Sequence, residues 1–258
     1  MNDPLFTDNR RQIRLYTVFR CRNISDKRLI HGNGIALTRH GDILLLQTSG
    51  IILAGGFSSR FGQDKGLLQL GGKPLVRHVL DSMQSVVDER IIVVSSGAQA
   101  GKYAKVVSPG CRVLVDSAEL HGPLAGVLTG FGAASGEYSL LLPCDTPFVS
   151  PDVLSLLAEL CINRNAAIPR WPNCYIEPLQ AVYRTKPAAE ATAKALCTGE
   201  VNMQAMVNKL LGIRYVSTLV IEQLDNGLRT FFNINTLLDL KKAETMLSQS
   251  RGRKLQKG

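Results

Sequence analysis

The sequence predicts an α/β fold, a mostly parallel sheet covered by helices on both faces. Three observations carry that expectation. From Ile51 onward, short apolar runs alternate with longer stretches of helical periodicity. Polar residues gather directly after the apolar runs, at the strand ends where such sheets bind ligands. The length of 258 residues suits one α/β core and is short for two independent ones.

Taken in order, residues 1 to about 48 are rich in Arg, with a turn signal at His31-Gly32-Asn33-Gly34 and a short apolar run from Ile43 to Leu46. Ile51–Ala54 reads as a buried strand, followed by a glycine-rich loop. Pro74 opens an amphipathic helix through Val87, with Leu75, Val79 and Met83 on one face. Ile91–Ser95 and Val113–Val115 read as strands, the second ending at Asp116. Gly122-Pro123 starts a helix of small and apolar residues to about Ala134. Ser139–Leu142 is an apolar strand that runs into Pro143-Cys144-Asp145-Thr146-Pro147-Phe148. Ser150 as cap, Pro151 at the first helical position and Asp152 in the first turn begin a helix through Cys161. Strands are expected at Ala166–Ile168 and Leu179–Tyr183, helices near Pro187–Leu196 and Met203–Leu211, and a last strand at Phe231–Ile234. Thr236 caps a closing helix through about Met246.

Composition narrows the function classes. No apolar run approaches the roughly 20 residues of a membrane-spanning helix, and no basic-apolar leader is evident, so a cytoplasmic protein is expected. The six cysteines show neither Cys-x-x-Cys pairs nor zinc-finger spacing with His, and read as buried thiols. The net charge of +9 is scattered and lacks interleaved aromatics, which argues against nucleic acid and suits a small anionic substrate. No Ser/His/Asp order or nucleophile elbow supports covalent acyl chemistry.

The loop Leu53-Ala54-Gly55-Gly56-Phe57-Ser58-Ser59-Arg60-Phe61-Gly62-Gln63-Asp64-Lys65 suits phosphate. Its glycines let backbone N–H groups approach an anion, and Arg60 and Lys65 supply charge for a reacting phosphate. It matches neither the P-loop nor the Gly-x-Gly-x-x-Gly pattern, and taken alone it also fits an ordinary strand-to-helix turn. Asp145, at the end of an apolar strand and bracketed by Pro143 and Pro147, is a costly placement unless paired. A magnesium ion bridging to phosphates would pair it, since that metal takes one or two carboxylates and keeps its waters; helix capping is the alternative. Asp116 has the reach of a nucleobase or ribose acceptor, or of a turn carboxylate bonding its own backbone. Asn233 and Asn235 fall on one face of the expected last strand and fit either a metal or a turn. Glu177, before Pro178, fits a solvated edge equally well.

Together, L-A-G-G-x-S-x-R-x-G-x-D-K, D with G-P-L-x-G, P-C-D-x-P, E-P-L and N-I-N-T with D-L closely resemble the molybdenum cofactor guanylyltransferases, from about Gly50 to about Leu247. The resemblance implies a Rossmann-like three-layer α/β/α fold of the nucleotide-diphospho-sugar transferase type. It implies transfer of GMP from GTP to molybdopterin cofactor with magnesium, and release of diphosphate. Carried over by position, Leu53, Ala54, Gly55, Gly56, Lys65, Asp116 and Asp145 would bind the nucleotide. Lys65, Arg60 and Asp145 would serve catalysis, and Asp145 with Asn235 would hold the metal. Transient contact with cofactor-delivery or molybdoenzyme maturation proteins is implied as well.

Phe61 and Leu237 depart from the family pattern at a usual Met and a frequent Pro. Relatives using cytidine usually read L-A-A-G, so Gly56, with Asp64 before Lys65, favours guanine. A cytidylyltransferase, a transferase for another phosphorylated acceptor and a non-catalytic nucleotide-binding module are the alternatives. The transferase domain is expected over 49–250, with a basic tail at 251–258. Residues 1–48 lie outside the family pattern and are expected to be loosely ordered or a gene-start artefact. With no Met between Met1 and Met83, a shorter product would begin at a non-Met codon such as that of Leu46.

Overall fold

The computed structural model describes residues 28–31, 34–39, 42–55, 57–58, 63–116 and 122–255. Its centre is a seven-stranded sheet of β1 (Thr48–Leu53), β2 (Glu89–Val94), β3 (Cys111–Val115), β4 (Tyr138–Pro143), β5 (Ala166–Arg170), β6 (Ala181–Arg184) and β7 (Ile213–Ser217), in the spatial order β3-β2-β1-β4-β6-β5-β7. Neighbours are parallel except at β6, which runs against both β4 and β5. The order steps outward on either side of β1 and β4, so their carboxyl ends flank the crevice where an open α/β sheet takes its ligand.

Alternation along the strands builds three layers. Ile52, Ile92, Val94, Leu140 and Leu142 point into one buried cluster, and Ile51, Ile91, Val93 and Leu141 into the other. The first face is covered by α1 (Leu75–Met83), α2 (Gly97–Ala104) and α4 (Pro151–Cys161), through Val76, Val79, Leu80, Met83, Tyr103, Leu154 and Leu157. The second is covered by α3 (Pro123–Ala133), α5 (Thr185–Cys197) and α6 (Met203–Asn208), through Leu124, Val127, Phe131, Ala188, Ala191 and Met206. A Cβ on Gly130 of α3 would lie 2.6 Å from Ile51 Cγ2, so this helix lies directly on the central strand.

A third, smaller cluster decides where the site forms. Leu68, Leu70 and Leu75 pack with Ile234 and with Ala243 of the closing helix α8 (Leu237–Leu255), with Phe148 and Phe232 against them. It ties the last part of the chain to the segment just after the glycine-rich loop. Between α6 and α8 stands the short helix α7 (Thr218–Ile221), led in by β7.

The structure departs from the sequence expectation at several elements. Phe231–Ile234 is not a strand: Arg229–Phe231 is a 3₁₀ turn, and Ile234 donates one backbone hydrogen bond to the Asp145 carbonyl at 3.0 Å. The aromatic side chains drive that segment's placement, Phe231 against Trp171 and Phe232 against Phe148, and the edge position of the sheet belongs to β7 instead. Helix α2, unanticipated because Gly97 and Gly101 weaken its pattern, is capped by Ser96, whose side chain accepts from the Gln99 amide. Helix α1 ends at Met83, four residues early. Ser150 occupies the cap position of α4 without a side-chain cap bond, and its own amide donates to Thr230 Oγ1 at 3.1 Å.

Within residues 1–48, expected to be loosely ordered, the described residues form an antiparallel meander of Arg28–His31, Gly34–Arg39 and Asp42–Leu46. The register pairs His31 with Gly34 across the expected turn. Helix α8 runs on to Leu255, into the expected basic tail. No helix among the described residues is long and apolar enough to cross a membrane.

Gly130→Val should destabilise the protein by about 1–3 kcal/mol, because the added methyls have no room over Ile51. Urea unfolding reads this directly, and an unchanged midpoint would mean that helix and strand are not in close contact.

Candidate active site

The ends of three strands and the turn before α8 supply the site. After β1, the Ala54 amide donates to the Val93 carbonyl at 2.8 Å, and the Leu53 carbonyl accepts from the Cys144 amide at 3.1 Å. These bonds carry the pairing of β1 past its last residue and set Leu53, Ala54 and Gly55 between β2 and β4. A Cβ on Gly55 would lie 2.4 Å from Ser95 Oγ, so the chain leaves the sheet close against the end of β2. After β3, the Asp116 amide is held by the Val94 carbonyl at 2.7 Å and its Oδ1 accepts from Thr129 Oγ1 at 3.0 Å. Asp116 thus stands at the same edge as Gly55, on the β3 side.

At the centre, Lys65 Nζ donates to Asp145 Oδ2 at 3.1 Å and to Asn235 Oδ1 at 2.6 Å. The lysine begins the 3₁₀ turn Lys65–Leu67, and the turn is built by Asp64. Asp64 is buried; its Oδ1 accepts from the Gly66 amide at 3.1 Å and from Tyr103 Oη at 2.6 Å, and its Oδ2 from Gln99 Nε2 at 2.7 Å. Gln99 Oε1 in turn accepts from the Ser95 amide at 2.9 Å. A Cβ on Gly66 would lie 2.2 Å from Tyr103 Oη, which makes glycine obligatory beside the lysine.

Burial pushes the Tyr103 hydroxyl far above its ordinary range, with Cys144 and Asp64 adding to the effect, so it stays protonated and serves as a donor. Burial likewise raises the Cys144 thiol strongly, helped by the Asp145 and Asp64 carboxylates, and removes it as a nucleophile. Both oxygens of Asp64 are therefore engaged by the protein's own donors. Asp64 is the scaffold of the Lys65 turn.

Asn235 arrives on the turn before α8. Thr236 Oγ1 accepts from the Asp239 amide at 3.2 Å, while Asp239 Oδ2 accepts from the amides of Asn235 and Thr236 at 3.2 and 2.9 Å. This reciprocal cap confirms Thr236 as the helix start and fixes the asparagine beside it. Of the two asparagines singled out in the sequence, Asn235 is the one whose side chain reaches Lys65.

The structure thus brings Leu53, Ala54, Gly55, Lys65, Asp116, Asp145 and Asn235 to one sheet edge. Gly56 and Arg60 lie outside the described residues. Sequence reasoning did not find Ser95, Gln99 and Tyr103, which support Lys65 from behind. The available signal was Ser96 with Gln99 three residues later, the spacing of a capping box.

Among the described residues there is no group of three or more His, Cys, Asp or Glu able to hold a metal. The donor set nevertheless fits a hard divalent cation. Asp145 Oδ2 and Asn235 Oδ1 already converge on one positive charge, and two protein oxygens completed by water and phosphate are what magnesium typically takes.

Residues 50–213 match the family described as the MobA-like NTP transferase domain. The chain belongs to that family. A Methanosarcina mazei protein named as a probable molybdenum cofactor guanylyltransferase is 37% identical over 198 residues, covering 75% of this chain and 88% of the relative. One from Desulfosudis oleivorans, named molybdenum cofactor guanylyltransferase, is 31% identical over 205 residues, covering 79% and 97%. Among solved structures, the molybdopterin-guanine dinucleotide biosynthesis protein A of Archaeoglobus fulgidus superposes with a TM-score of 0.66 at 28% identity, covering 78% of this chain and 99% of that one. The Thermus thermophilus 2-C-methyl-D-erythritol 4-phosphate cytidylyltransferase, at 22% identity and TM-score 0.57 over 78% and 98%, shares the fold. As a MobA-like transferase domain the chain is a nucleotidyltransferase of the nucleotide-diphospho-sugar transferase fold.

Asp64→Ala should cost about 1–3 kcal/mol, because Tyr103 and Gln99 lose their buried acceptor. Thermal unfolding of the purified variant measures this, and full retention of stability would show that the Asp64 network does not hold the lysine turn.

Proposed function

We propose that this protein transfers GMP from GTP to molybdopterin cofactor, forming the guanine dinucleotide cofactor and releasing diphosphate. The observation that carries the reading is the convergence of Lys65, Asp145 and Asn235 at the carboxyl end of β4, in a family of nucleotidyltransferases. In this reading residues 49–250 are the transferase domain, with 1–48 outside it. Leu53, Ala54, Gly55 and Gly56 line the phosphates with their backbone, and Arg60 joins them on the loop. Asp116 accepts from a donor of the nucleoside.

The terminal phosphate oxygen of the pterin cofactor attacks the α-phosphorus of GTP in line. A phosphorus–oxygen bond forms to the acceptor, the bond from the α-phosphorus to the bridging oxygen breaks, and diphosphate leaves with the electron pair. The protein's part is positioning and charge neutralisation, with no nucleophile of its own. The Lys65 ammonium is placed to move from its carboxylate and amide partners onto phosphate oxygens as negative charge builds on the leaving group. Asp145 and Asn235 would hold magnesium, which when bound neutralises phosphate charge and orients the reacting oxygens.

A non-catalytic binding module is disfavoured, because the lysine and aspartate that nucleotidyl transfer needs are both present and already oriented. The protein-partner side of the reading is limited to transient contact with cofactor-delivery or molybdoenzyme maturation proteins.

The test is diphosphate release with magnesium and each of GTP, CTP and ATP, with and without molybdopterin. Release with GTP only when molybdopterin is present is the expected result; release with CTP instead would reassign the base. Lys65→Ala should lower kcat by about 10²–10³-fold, a loss of roughly 2.7–4 kcal/mol of transition-state stabilisation. Asp145→Asn should abolish turnover while the circular dichroism spectrum stays that of the wild type. Undiminished activity in either variant would remove that residue from the chemistry.

A further inference from the structure

The E-P-L segment has no part in the site described above, yet it stands at the same edge of the sheet. Strand β6 is antiparallel to β4, with Ala181 opposite Leu141, so the residues that precede β6 emerge where β4 ends in Asp145. The Glu177 amide donates to the Pro169 carbonyl at 3.0 Å, which sets Glu177 beside the carboxyl end of β5. In the order β1-β4-β6-β5 that is two strand positions from β4, roughly 10 Å, and on the side away from Asp116 and the glycine-rich loop.

Glu177 is not a solvated edge residue. It is half-buried, its Oε1 accepts from Trp171 Nε1 at 2.8 Å, and burial raises its carboxyl above the usual range while the Trp171 bond opposes that rise. Oε2 has no protein hydrogen bond among the described residues. Trp171 is itself held edge-to-face on Phe231, with ring centroids 5.6 Å apart, so the indole and the carboxylate are fixed as a pair.

The geometry points to Glu177 as the residue that recognises the pyrimidine edge of the pterin acceptor, with Trp171 orienting the carboxylate. This inference rests on the proposed acceptor being a pterin. The 2-amino and N3–H groups of a pterin are adjacent donors, and a carboxylate, with about four acceptor sites of which Trp171 uses one, takes both. The separation from Asp145 is comparable to the length of a phosphorylated pterin, so an acceptor whose phosphate lies at Lys65 reaches Glu177 with its far ring. Guanine presents the same pair of donors, but Glu177 lies on the half of the edge away from Asp116, and that assigns it to the acceptor.

The experiment compares wild type, Glu177→Gln and Glu177→Ala, measuring KM for molybdopterin, KM for GTP, and the fluorescence of Trp171, the sole tryptophan of the chain, during titration with molybdopterin. Gln keeps an acceptor for Trp171 but turns the other atom into a donor that faces the pterin's own donors. Both variants should therefore raise KM for molybdopterin at least tenfold, with KM for GTP within twofold of wild type. The Trp171 signal should shift to correspondingly higher molybdopterin concentration. Wild-type behaviour of Glu177→Gln beside an impaired Glu177→Ala would make the residue structural and overturn the assignment, as would a rise confined to KM for GTP or unchanged constants in both variants. Absence of transfer by the wild type would overturn the proposed function, and this inference with it.

Discussion

Three distant pieces of chain meet at the Lys65 ammonium. Its partners lie 80 and 170 positions away in sequence, and neither would be near the glycine-rich loop without the sheet and the closing helix that bring them there. Each arm of this junction has its own support. The lysine stands on the buried Asp64 network, Asp145 on the end of β4, and Asn235 on a reciprocally capped turn pinned by Ile234. The junction itself is only partly buried, so a metal ion can take the two oxygens and phosphate oxygens can take the lysine without opening the core. Reactive groups on a rigid frame, with exchangeable bonds among themselves, are what preorganised charge stabilisation requires.

The edge of the sheet divides at β4. On one side, β1, β2 and β3 end in glycine, serine and an aspartate held by Thr129, with close backbone approach at Gly55. On the other, where β4 and β5 end and β6 begins, stand two aromatic pairs, Phe148 with Phe232 and Phe231 with Trp171. The first half offers backbone and small polar groups, suited to phosphates and a sugar. The second offers flat apolar faces with a carboxylate among them, suited to a fused heterocycle. Asp145 stands at the boundary between the two halves, at the end of β4.

Much of this was legible in the sequence, for identifiable reasons. Strands such as Ile51–Ala54 and Ser139–Leu142 are buried on both faces, so their apolar runs are continuous and unmistakable. Asp145 could be singled out because a carboxylate at the end of such a strand demands a partner. The last strand was misread at Phe231–Ile234 because aromatic and β-branched residues favour strands in general. Here ring packing with Trp171 and Phe148 consumes them instead. Strand β7, I-R-Y-V-S, was missed since an edge strand needs little apolar pattern. The Asp64–Gln99–Tyr103 network was invisible because it joins residues 35 and 39 positions apart through side chains whose meeting depends on tertiary structure. Asp64, read in the sequence only as the neighbour of Lys65, builds the lysine's support.

The small cluster of Leu68, Leu70, Leu75, Ile234 and Ala243 has a consequence for the way the site is completed. The sheet and its two faces are built from residues 48–217, whereas Asn235 reaches Lys65 across 170 positions and only where Ile234 and Ala243 dock. A contact so distant in sequence costs more chain closure than the strand pairs of the sheet, so the cation site is the part of the fold that leans most on non-local docking.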